Sequence, residues 1–291
     1  MTDSHSGDGD GDMNGPVERP RGEVTVEGEG RLVVRVRLPL PASARPRLLF
    51  QVRPKKGRPE EAGHCVALEP AGQDQWQGVL ETDPVLEEGR WDAFVVGLPG
   101  EERTPLLAGL RDLRALVSGG GGDRAVPVAV RIPYATKDGR LAVRAWWRVG
   151  HAEAGRIDLS ADSMTVTARL FGARLGKGAA ATLSRRGQAS AVRQIALRPE
   201  GGQDFSFTVG YEELVAEGGG LGAGETQVIW DAYIRPTADA PRIRVARLLD
   251  DIADRKAVFV YPAATLGGVS VRPYYTVDND LSVEVAARPA L

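Results

Sequence analysis

One eleven-residue phrase occurs twice in this sequence and constrains what the chain can fold into. Residues 133–143 read PYATKDGRLAV and residues 273–283 read PYYTVDNDLSV, with six identical positions at a constant spacing of 140 residues. The Asp-Gly and Asp-Asn pairs tolerate the positive φ angles of a tight turn, and leucine and valine alternate after them. The phrase therefore predicts a strand, a two-residue turn and a second strand, used twice.

Three further segments recur upstream of this phrase in the same order. RLVVRVRL (31–38) recurs as SMTVTARL (163–170), ALEP (67–70) as ALRP (196–199), and WDAFV (91–95) as WDAYI (230–234). Recurrence in one order indicates a tandem duplication over residues 23–148 and 156–287. Because there are only two copies, the repeat predicts two domains, 23–149 and 150–291, and not a solenoid.

The hydrophobic residues of these segments alternate with a period of two. Leu32 and Val34 lie on one face of the first segment, and Leu281 and Val283 lie on one face of the last. Turn-forming Gly, Pro, Asp and Asn clusters separate the segments. The pattern predicts an all-β fold of two tandem immunoglobulin-like β-sandwich domains. Short helical connections are expected only at residues 111–117, 211–217 and 248–255.

Charge, hydropathy and cysteine usage exclude several classes of protein. The formal net charge is −2 and no basic stripe is present, which argues against nucleic-acid binding. No apolar run approaches the length of a membrane span. Cys65 is the single cysteine, so no internal disulfide is expected. Residues 1–22 are rich in Gly and Asp, lack a signal-peptide pattern and predict a disordered tail. We therefore expect a cytoplasmic protein, and peripheral attachment to the membrane stays open.

Motifs for catalysis and for metal binding are missing. The three histidines have no partners at ligand spacing, and no G-x-S-x-G, H-E-x-x-H or P-loop occurs. We therefore expect a protein that is not an enzyme and that needs neither a cofactor nor a metal. An enzyme whose site follows none of these patterns is the remaining alternative.

Candidate ligand-binding residues are chiefly aromatic. Trp91 and Trp230 occupy equivalent positions, either as core residues between sheets or as platforms for a sugar ring. Asp92 and Asp231 point the other way along the same strands, where they either accept hydrogen bonds from ligand hydroxyls or are simply solvated.

The remaining candidates flank the hairpin phrase. Tyr134, Tyr274 and Tyr275 stand before its turn and are either buried structural tyrosines or ligand contacts. Trp146 and Trp147 are adjacent, so a strand sends them to opposite faces. The outward one is the best candidate for contact with a domain, a ligand or another protein.

Each copy contains the motif WDA[FY] followed by PYxTxD[GN]xLxV. In these motifs each copy resembles the accessory β-sandwich modules at the C-termini of family 2 glycosyltransferases and polyol-phosphate transferases. That family builds or decorates teichoic-acid-type wall polymers. Its modules end in a Tyr-x-Thr-x-x-x-Asn-Leu-Ser-like hairpin, comparable to residues 274–282 here. Arg140 and Asp280 stand where the family phrase has Asn before Leu.

The resemblance covers residues 23–287 and does not include a catalytic domain. It implies a non-catalytic accessory protein that binds an extended carbohydrate or polyol-phosphate polymer, a partner glycosyltransferase, or both. Homo-oligomers are a further implied state. The alternative is an assembly protein that oligomerises through its β-sandwiches without binding glycan.

Overall fold

The computed structural model describes residues 19–54, 59–60, 63–100, 102–118, 126–188, 190–216 and 221–288. β-Strands dominate these residues, which confirms the predicted all-β sandwich class. The first half, residues 19–148, contains the strands β1 Arg21–Val26, β2 Leu32–Arg37, β3 Arg47–Val52, β4 His64–Ala67, β5 Glu69–Gly72, β6 Gln75–Leu80, β7 Gly89–Val96, β8 Arg103–Pro105, β9 Leu107–Asp112, β10 Val128–Ala135 and β11 Leu141–Arg148.

The second half, residues 151–288, contains β12 His151–Leu159, β13 Ser163–Phe171, β14 Ala180–Arg185, β15 Val192–Ala196, β16 Arg198–Gly201, β17 Asp204–Gly210, β18 Gln227–Arg235, β19 Ile243–Ala246, β20 Ala264–Leu266, β21 Val269–Tyr275 and β22 Leu281–Ala287. The described helices are α1 Arg114–Ser118 and α2 Tyr211–Val215, each of about one turn. No helix in the described ranges is long and apolar enough to cross a membrane.

Each half has two layers of strands. The first half has one sheet in the order β5-β6-β2-β1-β9 and a second in the order β10-β11-β7-β3-β4, with β8 beside β7. In the second half the corresponding orders are β16-β17-β13-β12-β19 and β20-β21-β22-β18-β14-β15. There β19 pairs with β12 and with β18, so it joins the two sheets.

The two halves therefore share the order of their main strands, and β20 beside β21 has no counterpart among the described strands of the first half. The short bend between β11 and β12 lies at residues 149–150, where we place the domain boundary. The duplication itself and the exact domain limits remain predictions from the sequence. Of the predicted N-terminal tail, residues 1–18 lie outside the described range, and β1 already begins at Arg21.

Alternating apolar residues fill the space between the sheets of each half, as the period of two predicts. Large buried side chains in the first core include Phe50, Trp76 and Trp91, and those in the second include Phe205 and Trp230. The indole Nε1 of Trp91 donates to the carbonyl of Glu87 at 3.0 Å.

The repeated phrase forms a β-hairpin in each half, but its turn differs from the prediction. The loop has three residues and not two, because the N–H of Thr276 donates to the carbonyl of Asp280 at 2.8 Å. Only the third loop residue has a positive φ, 73° at Gly139 and 60° at Asn279. This is a type I turn followed by a left-handed residue, so one permissive residue suffices. The hydroxyl of Thr276 accepts from the N–H groups of Asp278 and Asp280, which accounts for the threonine in the phrase.

The second hairpin joins the two halves. The Arg144 guanidinium on β11 pairs with the Asp278 carboxylate, and the Trp146 indole donates to the Asp278 carbonyl at 3.2 Å. Arg148 pairs with Asp280 at 3.1 Å. A third hydrophobic cluster lies at this junction and takes residues from both halves: Val128, Val130, Ile132, Trp146, Phe171, Ala246 and Leu248.

Residues 247–263, called the strap below, connect β19 to β20 in the second half. A helix was expected over residues 248–255, and that expectation is wrong, because the segment is irregular. Side chains organise it instead of helical hydrogen bonds. The buried amide of Asn279 donates to the carbonyl of Ile252 and accepts from the N–H of Arg255, both at 3.0 Å. The Arg255 side chain is 0% exposed and pairs with Asp250.

Replacing Asp278 with alanine should destabilise the junction. The Arg144 side chain is 5% exposed and would lose its carboxylate partner. We expect the free energy of unfolding to fall by roughly 1–3 kcal/mol, the cost of a buried polar group without a partner. Asp138→Ala is the matched control, since Asp138 has the same turn position outside the junction, and should cost below about 0.5 kcal/mol. Equal losses in urea denaturation would contradict the role given to Asp278.

Two substitutions at Asn279 separate its hydrogen bonds from its backbone geometry. Asn279→Gly keeps the positive φ but removes both bonds to the strap, which should cost roughly 1–3 kcal/mol. Asn279→Ala should cost about 1 kcal/mol more, because alanine is strained in the left-handed region. The order of midpoints in urea should be wild type, glycine variant, alanine variant. Indistinguishable glycine and alanine variants would show that φ at this residue is unstrained.

Candidate functional site

The register of the second sheet in each half brings polar residues into one row. Here the outward face of a sheet is the face turned away from its own sandwich core. In the second half Tyr274 lies beside Ser282, Ser282 beside Asp231, and Asp231 beside Ser184.

The first half repeats this row. Tyr134 lies beside Ala142, Ala142 beside Asp92, and Asp92 beside Gln51. Tyrosine and aspartate thus occupy the same two places on both outward faces.

An arginine that the sequence analysis missed binds the aspartate in each row. The Nε and Nη2 atoms of Arg53 lie 3.1 and 2.5 Å from the two carboxylate oxygens of Asp92. The corresponding atoms of Arg186 lie 3.1 and 2.6 Å from those of Asp231. Bidentate pairing of this kind fixes both the position and the orientation of a guanidinium.

An aromatic ring with guanidinium groups over it adjoins each pair. In the second half the Arg242 and Arg244 guanidinium carbons both lie 4.9 Å from the centre of the Tyr233 ring. In the first half Arg103 lies 5.1 Å from the centre of Phe94. At the position of Arg244 beside Tyr233, the first half has Pro105 beside Phe94.

The arginines beside the two rings are paired differently. Arg103 is neutralised by Glu60 at 2.7 Å, and Arg53 by Asp92. In the second half Arg242 is exposed and hydrogen-bonds the hydroxyl of Ser184.

We call the cationic second-half surface the arginine face. Its members are Arg186, Arg242, Arg244, Tyr233 and Tyr274.

A chain of alternating charges anchors the arginine face to the first half. Arg244 lies 2.9 Å from Asp231 and 3.5 Å from Asp280. Asp280 in turn lies 3.1 Å from Arg148, which pairs with Glu88 of the first half at 2.8 Å. Because Asp231 and Asp280 hold Arg244 from two sides, its guanidinium is fixed at the base of the face.

The two aspartates of this chain have opposite pKa shifts. Burial alone would raise the pKa of Asp231, but Arg186, Arg244 and the Ser282 hydroxyl together hold it below its ordinary value. For Asp280 burial is the dominant cause and raises its pKa, against the attraction of Arg148 and Arg244. Burial also raises the pKa of Tyr274.

The candidate aromatic residues divide between core and surface. Trp91 is 3% exposed, while Trp230 and Tyr275 are 0% exposed, so all three pack inside the sandwiches. Tyr134 and Tyr274 are half-buried in the outward rows. A role in ligand binding for any of the candidate residues remains a prediction.

β11 sends the adjacent tryptophans to opposite faces. Trp146 points outward from the first sandwich and is 1% exposed, because the second half covers it. Trp147 is 42% exposed. The outward tryptophan therefore forms the domain contact, and Trp147 is the one that solvent reaches.

Within the described ranges, no group of three or more His, Cys, Asp and Glu side chains is placed to hold a metal ion. The lone Cys65 is exposed. What the two outward faces offer chemically is recognition, through guanidinium donors held next to aromatic rings.

Substitution of Asp231 by asparagine tests the electrostatics of the arginine face. Since its folded pKa is lowered, its stabilisation is present above the unfolded pKa, ordinarily 3.8, and is lost as the pH falls through the folded value. The stability difference between wild type and Asp231→Asn should therefore be greatest above about pH 4 and shrink below it. Asp251→Asn, at an exposed residue, is the control. A difference that stays constant with pH in acid denaturation would contradict this assignment.

Comparisons with known proteins give distant structural matches. No protein-family model and no curated protein matches the sequence. The chain is similar to a crystal structure of S. aureus TarS, with 15% sequence identity and a TM-score of 0.37, over 57% of this chain and 29% of that chain. It is also similar to the structure of S. aureus TarS 217–571, with 14% identity and a TM-score of 0.38, over 68% and 45%. This chain therefore spans less than half of either matched structure.

Proposed function

We propose that this chain is a non-catalytic accessory protein whose second half binds an extended polyol-phosphate polymer along the arginine face. One observation carries the proposal: Arg242 and Arg244 lie over the Tyr233 ring, while Asp231 pairs with both Arg186 and Arg244, and Asp280 pairs with Arg244. The face thus keeps a positive charge at Arg242 that no carboxylate of the described chain neutralises in these pairs.

The chemistry of the face suits phosphodiesters that alternate with polyol units. A guanidinium donates two parallel hydrogen bonds to phosphate oxygens, and an arginine held by an aspartate loses little freedom on binding. The half-buried rings of Tyr233 and Tyr274 offer apolar surface to the C–H groups of a polyol and hydroxyls for hydrogen bonding. A polymer repeats both groups along its length, so neighbouring weak contacts act together.

An assembly role without polymer binding is the alternative, and one observation favours it. Trp147, Val126 and Val149 are 42%, 49% and 60% exposed, and the two valines adjoin each other at Gly172. Exposed apolar residues in one region suit a protein contact. A second copy of this chain would be detected by light scattering, and a glycosyltransferase, as the sequence resemblance implies, by co-purification.

Arg242→Gln tests polymer binding with little risk to the fold, because Arg242 is exposed and its bond is to a serine hydroxyl. Calorimetric titration with a teichoic-acid-type polyol-phosphate chain should show about ten-fold weaker binding by this variant, for the loss of one charge-assisted contact. Binding by the wild type should weaken as salt is added.

Arg103→Gln is the matched control, since Arg103 lies over the equivalent ring of the first face and is already paired with Glu60. It should bind as the wild type does. The proposal is refuted if the wild type releases no heat on titration with the polymer. It is also refuted if Arg242→Gln and Arg103→Gln lose the same amount of polymer affinity.

A further inference from the structure

A groove of about 490 Å³ opens in the second half between β15 and β17. Thr165, Thr208, Gln194 and Glu213 line it with polar groups, and the buried core residues Phe207 and Ile195 also border it. β16 pairs with β17 only as far as Ser206, so the stretch of β17 after that residue faces the groove without β16 beside it. The volume lies within the usual range for small-molecule sites.

Beside the groove the two halves differ at one residue. Gly78 stands in the first half where Phe207 stands in the second, paired with Val34 and Val166 respectively. A Cβ atom on Gly78 would lie only 3.0 Å from Leu68 and 3.2 Å from the carbonyl of Ala67. The chain after β4 therefore packs directly on the glycine backbone. In the second half the buried Phe207 side chain fills the corresponding space in the core.

The neighbouring pair changes from apolar to polar at the same place. Val33 lies beside Val79 in the first half, and Val33 is 4% exposed. Thr165 lies beside Thr208 in the second half, and their hydroxyls are 2.9 Å apart. Thr208 is exposed to solvent. Valine and threonine have the same shape, so the substitution supplies hydroxyls to the groove and leaves the strands unchanged.

The lining defines the class of molecule that fits. Hydroxyls both donate and accept, the Gln194 amide does the same, and the Glu213 carboxylate accepts. Arg198 also borders the groove and lies 3.6 Å from Glu200. Such a lining recognises a neutral group with several hydroxyls, whereas a free phosphate would meet the carboxylate of Glu213.

We propose that this groove binds a neutral glycosyl group, as a subsite separate from the arginine face. The proposal rests on the proposed function, since it names the sugar substituent of a polymer whose phosphates lie elsewhere on the same half. The threonine hydroxyls and the amide of Gln194 hydrogen-bond the sugar hydroxyls.

Titration of the ¹⁵N-labelled full chain followed by NMR tests the groove. Glucose and N-acetylglucosamine serve as neutral probes, and glycerol phosphate serves as the anionic probe. A neutral sugar should shift the amide signals of Gln194 and Thr208, and added salt should leave its affinity unchanged. The double variant Thr165→Val, Thr208→Val should bind about ten-fold more weakly, for the loss of two hydrogen bonds.

The control variant is Thr25→Val, a change of the same kind on β1, which should bind like the wild type. Sugar-induced shifts that persist in Arg242→Gln, together with lost polymer affinity, support two separate sites. If a neutral sugar shifts the groove amides of a wild type that does not bind the polymer, the result supports the groove site. The same result refutes polymer binding by the arginine face. The groove proposal is overturned if neither sugar shifts the groove amides, or if the double valine variant responds like the wild type.

Discussion

The ion pair between Arg144 and Asp278 sets the geometry on which the rest of the molecule depends. The arginine is buried on the outward face of one sandwich, and the aspartate stands at the tip of a hairpin in the other. A buried guanidinium without a partner carries a large desolvation cost. Only arrangements of the two halves that bring a carboxylate to Arg144 avoid this cost. The Asp278 carbonyl also accepts from Trp146. One turn residue thereby fixes a charged and an aromatic side chain of the other half.

The outward face of the second half lacks the residues that form this junction in the first half. In the first half, the apolar surface at the junction includes Val130, Ile132 and Trp146. A shift of 140 residues places Ser270, Arg272 and Ala286 at these positions in the second half, and Glu284 at that of Arg144. Glu284 pairs with Arg272 at 2.7 Å. The outward face of the second half is therefore largely polar at the positions where that of the first half is apolar and covered.

The elements that the sequence predicts correctly are those determined by residues close together along the chain. Alternating apolar residues indicate the strands, and the recurrence of the phrase at Tyr134 and Tyr274 indicates the hairpins. The type of turn is not local, because an Asp-Gly or Asp-Asn pair fits both a two-residue and a three-residue loop. The strap is ordered by Asn279, which is 27 residues from Ile252, so no helical pattern describes it. Arg53 and Arg186 were missed, although their spacing of 133 residues differs by only one from the spacing of 132 between the repeated first strands.

The arginine face is rigid as well as cationic. Arginine side chains on a surface lose rotamer freedom when they bind a ligand, and this loss offsets part of the contact energy. Here Asp231 holds Arg186 and Arg244, and Asp280 holds Arg244 from the other side. These arginine side chains are therefore already ordered in the folded chain, so they lose less rotamer freedom when a ligand binds. Since Asp280 also pairs with Arg148 of the first half, the orientation of the face depends on the junction. Under the proposed function, a change that loosens the junction should weaken polymer binding even though it touches no ligand.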